Sequence, residues 1–388
     1  MGDFKLMKVI LTILFLTFAC ASQAQNRYTI VYNDSTNLAK IVAIIGKPTK
    51  DAKDTVKPVI FERFKTIVVK LNASKYKAVK PLCKSIDKED VKAKALWDRQ
   101  FTTFSPPVYF NNSMYKVSKL HERGIKGQGV RVAVFDDGCS PVATMPDITR
   151  LDFSVGTGTP NSPSGHGTAV CRYIADTIDG IAPKCKIYSL KTFQTGGGYT
   201  QQSFLAGMQW VLDSNIKVIT FSYSATGNYI EAPLLQFVNS GGIVLGASGN
   251  TYNDWMVGPA NYNYAIAVNT TSLATNNDSA VGSWIQYPNY PPFNNPNLQN
   301  KISICGRNND AGVTYNIGGT SQATPQAAGI VVLMCQYLGN NNINYLKAKK
   351  MLEKSAKKIP YYTTPDYYNS DGVPMSNKAG AGRLNWVF

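Results

Sequence analysis

The chain has 388 residues, 44% of them hydrophobic and 16% charged, with a formal net charge of +16. This balance excludes a mainly disordered chain, and 31 Gly, 20 Pro and 7 Cys without a fixed period exclude collagen-like and disulfide-dense classes. Only two histidines occur, His121 and His166, which excludes a three-histidine metal site built from one chain.

Residues 9–19 form an apolar run too short to span a bilayer. Lys5 and Lys8 precede it, and Ser22-Gln23-Ala24 supplies a small-x-small cleavage pattern. Residues 1–24 are therefore expected to be a signal peptide, which makes the product secreted or periplasmic. Cys20 raises a lipid anchor, but Phe18 is too bulky for a lipobox, so the soluble product is preferred. No other long apolar stretch exists, so no membrane span is expected.

Residues 25–104 hold the densest charge, 17 Lys/Arg against 8 Asp/Glu. No RNA- or DNA-binding signature accompanies it, so it reads as a solvated face, and no nucleic-acid partner is expected. Residues 28–32 and 64–71 alternate as strands, and 38–45 and 75–84 read as helices. This is a small α+β module. Phe101 to Pro107, ending in a Pro pair, is a linker signal.

From Val130 the pattern changes to short apolar strands at 130–135, 187–193, 218–223, 242–247, 265–268 and 301–305. Helices are expected at 165–176, 200–212, 232–238 and 321–337. Buried strands alternating with helices indicate an α/β fold with a doubly wound, mostly parallel sheet, whose ligands sit beyond the carboxyl ends of the strands. Residues 291–300 read as a polar surface loop. Six cysteines follow the signal, five of them after residue 105, so at least one of those five stays free or pairs outside that region.

Three motifs carry chemistry. The strand Val132–Phe135 delivers Asp136-Asp137-Gly138 at its carboxyl end. Ser164-Gly165-His166-Gly167-Thr168 places a histidine between glycines at a helix start. Gly318-Gly319-Thr320-Ser321, followed by Ala323-Thr324-Pro325, presents a serine at the start of an Ala- and Gly-rich helix, where free N–H groups favour negative charge. Each alone has a bland reading: a loop-capping Asp, a core histidine, an N-cap serine.

Together, in the order Asp, His, Ser, they resemble the subtilisin-type (subtilase) serine proteases. Ala247-Ser248-Gly249-Asn250 resembles the family's oxyanion-hole segment, and Gly380-Ala381-Gly382-Arg383-Leu384-Asn385 resembles its closing motif. The resemblance covers roughly residues 110–388. It implies a subtilisin-like catalytic domain over residues 105–388 with Asp136, His166 and Ser321 as the triad. Asp136 is chosen over Asp137 because it directly follows the strand. Asn250 and the Ser321 N–H would form the oxyanion hole. Ser222, Tyr223 and Ser224, with Ala247, Ser248 and Gly249, would line the substrate. Tyr223 and Ser224 are expected to narrow the pocket, because they replace the family's usual Leu-Gly.

The resemblance further implies that residues 25–104 are an inhibitory propeptide, removed autocatalytically near Phe104-Ser105. It also implies an acyl-enzyme mechanism on protein or peptide substrates by a monomer. The loop that often holds calcium is short here, so no calcium site is carried over and no metal or cofactor is predicted. Two alternatives remain: a catalytically silent binding protein on the same fold, or a peptide ligase or macrocyclase.

Overall fold

The computed structural model describes residues 26–89, 117–156, 158–193, 199–225, 227–250, 256, 258–270, 302–306, 319–357, 365, 367–375, 380–381 and 384–385. The signal sequence with Cys20, the 101–107 linker with the expected cut, and the 291–300 loop lie outside these residues. So do Val257, Gly318, Gly382 and Arg383. The chain divides into two compact units, residues 1–90 and 91–388.

The first unit is built on β1 (Asn26–Val31), α1 (Ser35–Ile45), β2 (Val59–Phe61), β3 (Thr66–Leu71), α2 (Ala73–Val79) and β4 (Ser85–Lys88). Its antiparallel sheet has the order β2-β3-β1-β4. Both helices start where a side chain accepts a first-turn N–H: Asp34 from Asn37 at 2.8 Å and Asn72 from Lys75 at 2.9 Å. The strand expected from residue 64 begins at Thr66, because Glu62–Phe64 is a 3₁₀ turn closed by Lys65 at a φ of 50°. The helix expected to residue 84 stops at Val79 and tightens into a 3₁₀ turn at Lys80–Leu82, around Pro81.

In the second unit, α3 (Ser118–Glu122) leads into β5 (Arg131–Asp136), β6 (Thr149–Asp152), α4 (His166–Ala175) and β7 (Lys186–Lys191). Next come α5 (Gln201–Asp213), β8 (Val218–Phe221), α6 (Glu231–Asn239), β9 (Ile243–Ala247) and β10 (Ile266–Thr270). The series ends with β11 (Ile302–Gly306), α7 (Thr320–Leu338), α8 (Tyr345–Ser355) and a small hairpin, β12 (Tyr367–Tyr368) and β13 (Pro374–Met375). The main sheet is seven parallel strands in the order β11-β10-β9-β8-β5-β7-β6.

The chain enters this sheet in the middle, at β5, fills one side with β6 and β7, then crosses to build β8 to β11 on the other. Such a switch point leaves a crevice at the carboxyl edge. Register aligns the strand ends there: Phe135 pairs with Phe221, and Phe221 with Gly246. Asp136, Ser222 and Ala247, one residue further on, therefore share one level of the sheet.

Two packed layers hold this edge. Phe135, Phe193, Tyr199, Phe204, Phe221, Tyr223 and Tyr229 form a buried aromatic cluster with ring centroids 4.7–6.2 Å apart. In α7 every residue from Thr320 to Cys335 is buried. Its small residues allow that: the backbone of Ala323 lies against Gly306, and Gly329 against Ile181, so closely that a Cβ on either glycine would be 2.6–2.7 Å from its neighbour. Such a helix is mostly apolar or small, and the longer polar side chains it buries, Gln322 and Gln326, need partners inside, as Gln322 finds in Tyr173.

Candidate active site

Asp136 is the last residue of β5 and is buried. Its Oδ1 accepts from His166 Nδ1 at 2.8 Å and from the Asp137 N–H at 2.8 Å. Its Oδ2 is buried and finds no protein partner among the described residues. The imidazole is thus the side chain that answers this buried negative charge. Burial by itself pulls the His166 pKa down, but the charge and hydrogen bond of Asp136 outweigh it, and the net shift is upward. A proton held on Nδ1 leaves Nε2 as the basic nitrogen.

Asp137 does different work. Its Oδ1 accepts from Ser162 Oγ (2.6 Å) and the Gly167 N–H (2.8 Å), and its Oδ2 from Ser164 Oγ (2.6 Å) and the Ser164 N–H (3.3 Å). It clamps the segment that delivers His166. Burial raises its pKa, Asp136 adds to that, and the His166 charge and the serine hydrogen bonds offset part of it. Gly167 has to be glycine, because a Cβ there would lie 2.1 Å from the Gly138 carbonyl.

Lys191, buried at the end of β7, donates to the carbonyls of Thr159 (3.0 Å) and Asn161 (2.9 Å) and so holds the other end of the same segment. His121, the second histidine, bonds the Ile181 carbonyl through Nε2 at 2.9 Å and serves structure.

Ser321 lies in the first turn of α7. Its Oγ donates to the Ser222 carbonyl at 2.8 Å, and Ser222 Oγ donates back to the Ser321 carbonyl at 3.0 Å. Pro325 explains the second bond. Four residues on, it has no N–H to give Ser321, so that carbonyl takes a partner from the strand end. A further bond ties α7 to α4, the helix that starts at His166: Gln322 Nε2 donates to Tyr173 OH at 2.5 Å. The start of α7 is thereby tied to the last turns of α4, with Ser321 hydrogen-bonded toward β8.

Asn250 follows β9. Its Oδ1 accepts both the Thr320 N–H (2.9 Å) and the Thr320 hydroxyl (2.8 Å). That saturates the oxygen, so the amide nitrogen is the group's remaining donor. Gly319, at a φ of 69°, makes room: a Cβ there would sit 2.6 Å from Asn250 Oδ1. The Ser321 N–H belongs to the first helical turn, where the helix supplies no acceptor.

Of the substrate-lining residues named from sequence, Ser222 binds Ser321. Ser248 is buried and bonds the Val268 carbonyl through its N–H (3.0 Å) and Asn269 through its hydroxyl (3.3 Å). Ala247 is the buried end of β9, and Gly249 has a φ of 115°. The expected narrowing of the pocket by Tyr223 is overturned. Its ring is 1% exposed and points into the aromatic cluster, and burial pushes its hydroxyl pKa well up. Beyond the end of β8, Tyr223 joins Phe221 in the cluster at 5.6 Å between ring centroids, while Ser222 between them bonds Ser321.

Beyond it, the Ala225 N–H donates to the Gly258 carbonyl at 2.8 Å, and a Cβ on Gly258 would lie 2.3 Å from the Ala225 carbonyl. These two segments are in backbone contact. Sequence reading missed Thr320, Ser162, Ser164 and Lys191. The Ser-x-Ser pair just before Gly165-His166 was the available signal for the clamp. Among the described residues no three His, Cys, Asp or Glu side chains gather as a metal site.

The sequence matches the subtilase family over residues 127–382. It is 28% identical over 339 residues to the M-protease of Shouchella clausii (strain KSM-K16), covering 82% of this chain and 83% of that one. It is 32% identical over 237 residues to Subtilisin Savinase of Lederbergia lenta, covering 58% of this chain and 82% of that one. In structure it is similar to fervidolysin of Fervidobacterium pennivorans, described as a keratinolytic enzyme related to subtilisin. That match has a TM-score of 0.68 at 19% identity, over 93% of this chain and 60% of that one, and it shows the fold.

Proposed function

The chain belongs to the subtilase family and is a subtilisin-like serine endopeptidase; from that premise we propose that Asp136, His166 and Ser321 are its catalytic triad. The single observation that carries this reading is the 2.8 Å bond between Asp136 Oδ1 and His166 Nδ1 at the carboxyl edge of the sheet.

Ser321 gives its proton to His166 Nε2 as Oγ attacks the scissile carbonyl, and Asp136 stabilises the imidazolium and fixes its tautomer. The hydroxyl proton first has to leave the Ser222 carbonyl, where it rests in this structure. The oxyanion is met by the Asn250 amide and the Ser321 N–H, the side-chain donor contributing about 3–4 kcal/mol to the transition state. His166 then protonates the leaving amine. Water repeats the sequence on the acyl-enzyme. Extended peptide would run against Ser222 to Ser224 and Ala247 to Gly249, with main-chain hydrogen bonds supplying general affinity.

The signal-like residues 1–24 support export, and the basic unit at residues 25–104 is read as an inhibitory propeptide removed near Phe104-Ser105. The product then acts as a monomer on protein or peptide substrates, with no metal or cofactor in the reaction. Intact mass of the purified protein beside its Ser321→Ala variant tests both parts. Loss of about residues 25–104 in the wild type alone supports self-processing by Ser321. If both stay full length, the propeptide reading fails. If the variant still cleaves a chromogenic peptide, the triad assignment fails.

A further inference from the structure

We propose that Cys139 and Cys171 are joined by a disulfide in the exported protein, tying the loop that follows Asp136 to the helix that begins at His166. Both thiols are free in this structure. The inference rests on the reading that the chain is exported, because an oxidising compartment is what closes and keeps such a bond.

Their positions follow from the way the loop meets α4. The Gly138 carbonyl lies against Gly167, and the Ser140 N–H donates to Thr168 Oγ1 at 2.9 Å. Cys139 stands between these two contacts. Cys171 is four residues after Gly167 and three after Thr168, on the same helix face one turn along. Both side chains are fully buried in the same core cluster, where Cys139 Sγ donates to the Ser140 carbonyl at 3.3 Å. The neighbouring Cys171 holds the Cys139 thiol below its usual range, while burial pushes Cys171 up. Burial likewise pushes Cys185 and Cys335 up to about 12 in the folded protein.

The oxidant is a disulfide, borne by a protein or a small thiol. Cys171 thiolate displaces one sulfur of that disulfide, giving a mixed disulfide and one released thiol. Cys139 thiolate then attacks the Cys171 sulfur and displaces the second. Two cysteine thiols lose two electrons and two protons, and the oxidant leaves as two thiols. Because both sulfurs are buried once α4 is docked, the exchange belongs to folding. The folded protein then resists added reductant.

The test refolds the full-length Ser321→Ala chain, to limit self-digestion, with oxidised and reduced glutathione. It is then alkylated in denaturant without reductant, and the peptides made by an added protease are mapped by mass spectrometry. The expected result is one linked peptide pair joining Cys139 to Cys171, lighter by two hydrogens than its separate parts. Cys185, Cys305 and Cys335 are expected to be alkylated. Recovery of both Cys139 and Cys171 alkylated, in a chain with native near-UV circular dichroism, overturns the proposal. In the Cys139→Ala variant, Cys171 is expected to take the alkylating reagent or glutathione; if it links to another cysteine, the pairing is wrong. Finally, wild-type protein from the culture medium is mapped in the same way. Absence of the link in that exported protein overturns the proposal, whereas failure to find the chain outside the cytoplasm overturns the export reading and leaves the pairing seen in the refolded chain intact.

Discussion

On the Asp136–His166 side of the site, two buried carboxylates lie next to each other and are answered by hydrogen bonds. Asp137 takes four, from Ser162, Ser164 and Gly167, and Asp136 takes two, one of them from the imidazole. Among the described residues on the Ser321–Asn250 side no formal charge is buried. There the geometry comes from close packing and neutral bonds: Gly319 against the Asn250 amide, Thr320 on Asn250 Oδ1, and Ser222 exchanging bonds with Ser321. The charged side can tune a proton affinity but depends on every donor being present. The neutral side fixes where atoms sit and is indifferent to pH. A serine protease needs both properties, and this chain separates them onto different strand ends.

Substitutions can break that division. Asp136→Asn should lower kcat by about 10⁴, because the wrong imidazole tautomer is then favoured. It should also move the acid limb of the rate profile to lower pH. His166 has to be neutral to act as base, its pKa is raised in the folded protein by Asp136, and removing the carboxylate lets it fall. A pH–rate profile checks both; an unmoved acid limb would mean that His166 does not feel Asp136.

Asn250→Ala should lower kcat by about 10²–10³ with KM little changed and the acid limb unmoved. Steady-state kinetics across pH would show whether the neutral side is as independent of titration as its contacts imply. Asp137→Asn places N–H groups against donors. It should destabilise the fold by about 1–3 kcal/mol, with a smaller loss of kcat than Asp136→Asn. Denaturant unfolding of the inactive Ser321→Ala background measures the first part. An activity loss matching that of Asp136→Asn without loss of stability would make Asp137 part of the relay instead of a clamp.

The smallest effect sharpens the neutral side. Ser222→Ala strands the Ser321 carbonyl and should cost about 1–2 kcal/mol. In a Pro325→Ala background the restored N–H can reach that carbonyl, so the same substitution should cost less. A double-mutant cycle with no coupling would show that Pro325 is not the reason for the bond.

The sheet and helices were largely legible because buried parallel strands announce themselves as apolar runs, as in Val132–Phe135 and Ile243–Ala247. β6 was not, because Thr149–Asp152 is a half-buried edge strand without a continuous apolar run. α8 was hidden by its lysines, although Ala348 and Leu352 mark its buried side at helical spacing. In the site, Asp136 could be separated from Asp137 by its place directly after a strand. The partners of Asp137 could not be read, since they depend on residues 158–164 folding back over it, held by Lys191. The place of Tyr223 in the core is not legible in its motif, because it depends on Phe193 and Tyr199, distant in sequence, closing over the ring.

The unbroken burial of α7 from Thr320 to Cys335 bears on how the enzyme fails. A helix with no wet face cannot fray toward solvent while the rest persists. Its amides should be among the slowest in the molecule to exchange with deuterium, opening only when the domain opens as a whole. Loss of activity on heating should therefore follow the rate of that single global event. Nicks in surface loops should leave the serine in register until it occurs.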